Sequence, residues 1–248
     1  VVALFSGEKA LSTKLASSIK AIKPADLATL TKGGPARWGA PLAVPGQVAP
    51  ATGAYVVDTI TVPEENPFKS WIRCSGLDFF ADGTTAAVCS LSGDVWIVRH
   101  IDDKLDKVTW QRFATGLYQP LGLKIVNETV YVTCRDEIVR LHDLNKDGEA
   151  DFYENFNNDC YLTTNFHEMC FDLQTDKEGN FYYAKGSSIW AGELRSTPHH
   201  GTIVKVSKDG SKFETLGSGL LAPNGIAIGP HGELTCSDTH DNRIPACP

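Results

Sequence analysis

From Tyr55 onward, apolar and polar positions alternate over short runs separated by Gly, Asp and Asn turns. Alternation puts successive side chains on opposite faces, the mark of a half-buried strand. Residues 55–62, 95–98, 138–141 and 202–206 read this way. One strand signature is written four times: Ser75-Gly-Leu-Asp-Phe79, Leu121-Gly-Leu-Lys-Ile125, Met169-Cys-Phe-Asp-Leu173 and Asn224-Gly-Ile-Ala-Ile228. The starts lie 46, 48 and 55 residues apart. Each copy is followed by a polar turn and a second strand, at residues 86–89, 130–133, 181–184 and 233–236. Self-similarity near a period of about 50, built from short strands, predicts an all-β propeller.

Four copies predict four blades. Complete propellers have about four to eight blades of four strands each. The fourth copy stops after its second strand, close to Pro248, and the chain begins at Val1. The expectation is a processed or partial chain, an incomplete ring with blades missing at the C-terminal side, inactive by itself. Residues 1–54 differ in character from the propeller segment, 55–248. Leu11, Leu15, Ile19 and Ile22 are spaced as one face of a helix between Glu8 and Lys23, and Pro24 would end it. A Gly- and Pro-rich arm containing Gly33-Gly-Pro-Ala-Arg-Trp38 follows and is expected to lie across the propeller.

Charge narrows the partners. The net charge is −7 and no basic run occurs, which argues against nucleic acid. No apolar stretch approaches the roughly 20 residues of a membrane helix. The seven cysteines include no Cys-x-x-Cys pair, so a structural zinc site or attached haem has no motif. Several sit in apolar strand patterns, where a thiol packs as a small hydrophobe. The odd count argues against a fully paired disulfide framework and leaves a mixture of free and paired thiols open.

Two groups carry candidate chemistry. Asp143-Leu-Asn-Lys-Asp-Gly-Glu-Ala-Asp-Phe-Tyr-Glu154 has the spacing of a twelve-residue calcium loop. Asp143, Asn145 and Asp147 offer oxygens at positions 1, 3 and 5. Gly148 makes the turn, Glu149 stands at 7, Asp151 at 9, and Glu154 closes at 12. The flanks read as strands, so the ion would be structural. The competing reading is a hairpin turn with solvated acids. Second, superposing the four copies places Arg73, Gln119, His167 and Ala222 two residues before each signature, with Asn224 just inside it. Inner strands of a propeller converge, so Arg73, Gln119, His167 and Asn224 are expected at one end of the channel. A histidine is a general base near neutral pH, and an arginine holds an anion. The His199-His200 pair and the group Asp238-Thr-His240-Asp241 read as polar loops.

At these residues the chain resembles a known family. Asn66-Pro-Phe-Lys-Ser-Trp71, Gly116-Leu-Tyr-Gln-Pro-Leu-Gly122, the 143–154 loop, Gly179-Asn-Phe-Tyr-Tyr183 and Ala222-Pro-Asn-Gly225 together resemble the glucose/sorbosone dehydrogenase-like propellers. The likeness is to large secreted versions from planctomycete-type bacteria, often fused to cytochrome c. The resemblance implies a periplasmic or secreted quinoprotein that oxidises a sugar or related alcohol, using pyrroloquinoline quinone and calcium, with cytochrome c as an electron acceptor. His167 matches the family's base, with Arg73 supplying positive charge and Gln119, Asn224 and Asp238 beside the cofactor. Leu220-Leu221 stands where Gly-Phe-Arg is usual. The segment from Ala222 to Asp238 also looks like the gluconolactonase and strictosidine-synthase-like propellers, in which an Asn matched by Asn224 binds a divalent metal. A metal-dependent lactonase is therefore the alternative, and a non-catalytic binding propeller the third.

Overall fold

The computed structural model describes Gly7 and residues 9–23, 26–187 and 198–239. Its sheets follow the repeats. The first contains β1 (Leu42–Ala43), β2 (Cys74–Phe79), β3 (Ala86–Ser90), β4 (Val95–Arg99) and β5 (Thr109–Ala114), in the antiparallel order β1-β5-β4-β3-β2. The second runs consecutively through β6 (Gly122–Val126), β7 (Thr129–Thr133), β8 (Ile138–His142) and β9 (Phe152–Asn157). The third does the same through β10 (Cys170–Thr175), β11 (Phe181–Lys185), β12 (Thr202–Val206) and β13 (Phe213–Ser218). A fourth pairs β14 (Ile226–Ile228) with β15 (Leu234–Cys236). Each sheet is a meander whose first strand is the signature strand. These inner strands neighbour one another in the order β2, β6, β10, β14.

Apolar clusters fill the spaces between sheets. Ala87, Cys89, Val95 and Ile97 of the first sheet meet Leu123, Val130, Val132 and Val139 of the second. The other face of the second sheet, through Tyr131, Ile138 and Phe156, meets Leu173, Phe181 and Val204 of the third. A middle strand covered on both faces is mostly apolar, and all five residues of β3 are buried, Ser90 included. Four of the cysteines, Cys89, Cys134, Cys160 and Cys170, are buried in this way as free thiols. Cys247 lies outside the described residues.

The signature has a geometric cause. Its second position faces the next inner strand. A Cβ on Gly122 would stand 2.2 Å from the Asp172 carbonyl carbon. Neighbouring inner strands share no ladder, and an aspartate at the fourth position ties them instead. Asp78 Oδ2 accepts from Ile125 N at 3.0 Å, and Asp172 Oδ2 from Ile226 N at 3.1 Å. Lys124, at the same position in the second sheet, pairs with Asp78 at 3.2 Å.

The N-terminal region differs from its sequence reading. The helix α1 (Lys9–Ala21) forms, yet none of its residues is buried. A one-turn α2 (Leu27–Leu30) capped by Asp26 follows. The arm beyond it packs on the outer face of the first sheet. Leu42, Val44, Ile60, Val62 and Phe68 lie against Val88, Trp96 and Trp110. Residues 55–62 do not form the expected strand. Only Thr59 pairs, with Gln47, and Tyr55 is 92% exposed. Their alternation had no neighbouring strand to bond, whereas the two residues of β1 join the edge of the first sheet beside β5.

Candidate functional site

The inner strands begin at a common end, where the loops before β6 and β10 meet the turn after β7. Arg135, in that turn, is buried and joins all three. Its Nη1 donates to Gln119 Oε1 at 3.1 Å and to Tyr118 Oη at 3.4 Å. Its Nε donates to the Glu168 carbonyl at 3.3 Å, and its Nη2 to the Asn165 carbonyl. The guanidinium lies 5.6 Å from the Tyr118 ring centre. A second buried cation meets the same carbonyl: Lys185 Nζ donates to Glu168 O at 3.0 Å. Arginine's fixed fork suits a junction of several acceptors, and lysine adds a point charge.

These bonds shape the 163–168 segment. The Asn165 side chain accepts from His167 N at 2.9 Å. Thr163 N donates to Glu168 Oε2 at 3.2 Å, while Glu168 Oε1 is buried without a partner. His167 is half-buried, its ring edge-on to Phe166, and its Nδ1 is a buried nitrogen with no partner. Buried polar atoms are almost always satisfied, so two orphans on consecutive residues mark a place where a ligand can bond. Burial pushes the His200 imidazole below its ordinary pKa, with Glu168 and Lys185 acting on it in opposite senses. His199 is lowered chiefly by burial too. Its Nδ1 accepts from Tyr161 N at 3.1 Å, and its ring packs between Tyr161 and Phe213.

The structure thus brings Gln119 to the His167 segment through Arg135. It does not bring Arg73, which is exposed and stacked on Trp71, 4.7 Å from the ring centre. Asn224 is exposed at the approach to β14. Asp238 directs its carboxylate to the Leu221 and Ala222 amides at 2.9 Å each. His240 and Asp241 lie outside the described residues. Gln119 and Asp238 are engaged by neighbouring groups, and Leu221 is buried. Arg135, Glu168 and Lys185 escaped the superposition because they occupy other repeat positions. One signal was present. Lys185 holds the register place of Cys89 and Thr133 opposite the signature's second residue, a lysine inside an apolar run.

The acidic loop is a docking element. Asp143 accepts from the Asp147 and Gly148 amides at 3.1 and 2.9 Å, Asn145 Oδ1 from Asp147 N at 3.0 Å, and Asp147 Oδ1 from Glu149 N at 3.0 Å. Glu149, buried rather than solvated, accepts from Arg37 N and Trp38 N at 2.7 and 2.8 Å. Asp151 Oδ1 takes Gly34 N at 2.7 Å. Glu154 sits on β9 with Arg140 and His142 on its carboxylate, so position 12 supplies no free oxygen to the loop. Among the described residues, no three His, Cys, Asp or Glu side chains are grouped to hold a metal ion.

No protein-family model and no curated protein matches this chain. Solved structures do. A gluconolactonase from Xanthomonas campestris superposes with a TM-score of 0.50 at 16% identity, covering 82% of this chain and 67% of its own. The sheets are propeller blades. A candidate oxidoreductase (glucose dehydrogenase) from Thermus thermophilus gives 0.50 at 18% identity over 66% of this chain, and a candidate gluconolactonase gives 0.50 at 15% over 68%. This chain spans 56% of the length of each of those two. The names of these structures carry two chemistries on one architecture, so the likeness shows the fold alone.

Proposed function

We propose that this propeller acts on a sugar or related alcohol at the end where its inner strands begin, with His167 as proton acceptor from a substrate hydroxyl. The observation that carries this is the unpartnered, buried His167 Nδ1 on a segment fixed by Arg135 and Lys185. A base is effective when its ring is held and its lone pair is not already engaged. The pairing of cations with carbonyls fixes the backbone from 165 to 168, and Glu168 adds a carboxyl oxygen that can receive a second hydroxyl. Alcohol oxidation then needs a hydride acceptor. Pyrroloquinoline quinone would supply that chemistry when bound, as the family resemblance implies, with cytochrome c taking the electrons onward in a periplasmic or secreted setting. No step is assigned to it, because the groups expected to hold it are engaged elsewhere.

Lactone hydrolysis is the second reading. It is favoured by the exposed Asn224 at the fourth inner strand and disfavoured by the lack of acidic partners grouped with it among the described residues. The deciding assay uses the longest native form of the protein with a sugar and polyol panel, a dye acceptor, and quinone with calcium. Oxidation that falls about 10²–10⁴-fold in kcat for His167→Gln, with the melting temperature retained, is the expected result. Lactone turnover that needs a divalent metal and no quinone would replace it. Activity in neither assay would leave a binding propeller.

A further inference from the structure

We propose that the segment from Lys9 to Lys32 docks on an anionic lipid surface, with α1 lying in the plane of the headgroups and holding the propeller beside the membrane. Leu11, Leu15, Ile19 and Ile22 form one apolar stripe along α1, which Ile22 extends through a bond from its N to the Ile19 carbonyl at 3.1 Å. Yet no residue of α1 is buried. Leu11 and Ile22 are exposed, as are Leu27 and Leu30 of α2. A helix of 13 residues without packing is marginal in water, because helices in proteins are held mainly by burying such a face. Among the described residues this stripe has nothing to pack on. No described helix is long and apolar enough to cross a membrane, so the contact is with its surface.

Charge selects the partner. The segment carries Lys9, Lys14, Lys20, Lys23 and Lys32, and its one acid, Asp26, caps α2 by accepting from Ala28 N at 3.0 Å. None of the five lysines forms an ion pair among the described residues. The whole chain has a net charge of −7, so an anionic surface repels the remainder and attracts only this segment. At helical spacing Lys14 falls on one flank of the stripe, and Lys9 and Lys20 fall on the other. Their stems can follow the apolar face inward while the ammonium groups stay with headgroups and water. A groove on a protein would have to bury and pair the same lysines. Ser12 and Ser18 border the stripe, and their hydroxyls donate to the Lys9 and Lys14 carbonyls at 2.9 and 3.0 Å. Hydroxyls already bonded within the helix lower the cost of drawing those borders out of water. A basic helix with a narrow apolar stripe is suited to lie in an interface.

The full chain is sedimented with vesicles of phosphatidylcholine, and with an equal mixture of phosphatidylcholine and phosphatidylglycerol. Binding to the mixture should be at least about tenfold tighter and should weaken steeply with salt. Each lysine near such a surface is worth about fivefold, so Lys14→Gln with Lys20→Gln should weaken binding about 20-fold. Leu15→Gln should weaken it by about tenfold or more. None of these side chains is buried, so the melting temperature should not change. The mixed vesicles alone should raise the helical signal in far-ultraviolet circular dichroism. Equal binding to both vesicles would overturn the proposal. Sedimentation with neither would leave the stripe to a groove on a protein. Dimerisation without lipid that Leu15→Gln abolishes would assign it to a second copy of this chain.

Discussion

Glu154 shows what spacing alone conveys about a single residue. Its place at position 12 suggests a calcium ligand, but pairing across the sheet decides its role. Glu154 lies opposite Arg140 in the β8–β9 ladder. Arg140 Nε and Nη2 bond its two oxygens at 2.7 Å each, and His142 Nε2 lies 2.6 Å away. Burial raises its pKa, but the Arg140 and His142 bonds outweigh that and hold it below the usual carboxylate range. A pKa depressed by folding stabilises the protein above the ordinary glutamate pKa, and this is lost as pH falls through the lowered value. Glu154→Gln should therefore cost about 0.5–1 kcal/mol at neutral pH, as a half-exposed pair with good geometry does. Urea unfolding at pH 7 and again below about pH 4 checks this, and the two proteins should converge in acid. The same limit applies at the candidate site. His167 and Gln119 were legible because they fall at one repeat position, whereas Arg135, Glu168 and Lys185 meet only through three different loops.

Among elements, the second and third strands of the first three repeats are buried at most positions and write an apolar pattern, whereas the uncovered inner strand β2 is legible as a copy of the others. Of the outer strands β5, β9 and β13, the last has no buried residue, and its sequence Phe-Glu-Thr-Leu-Gly-Ser carries little alternation. The arm packs on the first sheet, and the acidic loop that fastens it carries no pattern pointing to the arm. Gly33 has φ +84°, and a Cβ there would stand 2.5 Å from Asp151 Oδ2, so glycine is required where the arm turns onto the loop. Glu149 then receives the next amides. Removing it leaves the Arg37 and Trp38 amides without partners, a cost of about 1–3 kcal/mol for groups partly withdrawn from water. Glu149→Ala should lower the melting temperature by several degrees and expose the bond after Arg37 to trypsin. Unchanged cleavage there would mean that the arm is held by its apolar contacts alone.

For the whole molecule, the informative surface is the outer face of the first sheet. The inner faces of a propeller meet in pairs, and each apolar cluster here has a sheet on both sides except this one. The arm supplies Val44, Ile60 and Val62 to the part nearest β4 and β5. It leaves the inner strand uncovered, with Leu77 59% exposed and Phe79 44% exposed. The counterparts of Leu77 one and three sheets on, Leu123 and Ile226, are each only 3% exposed. Sequence repetition gives the four positions one identity, and burial separates them because a neighbour stands beside some and not beside Leu77. The difference can be measured. Leu77→Lys in this chain should change stability by less than about 0.5 kcal/mol, as exposed substitutions do. Leu123→Lys should prevent folding, since it buries a charge between two sheets with no partner. Denaturant midpoints for the two variants test the assignment. A loss of several kcal/mol for Leu77→Lys would show that this face is covered in solution by something other than the arm.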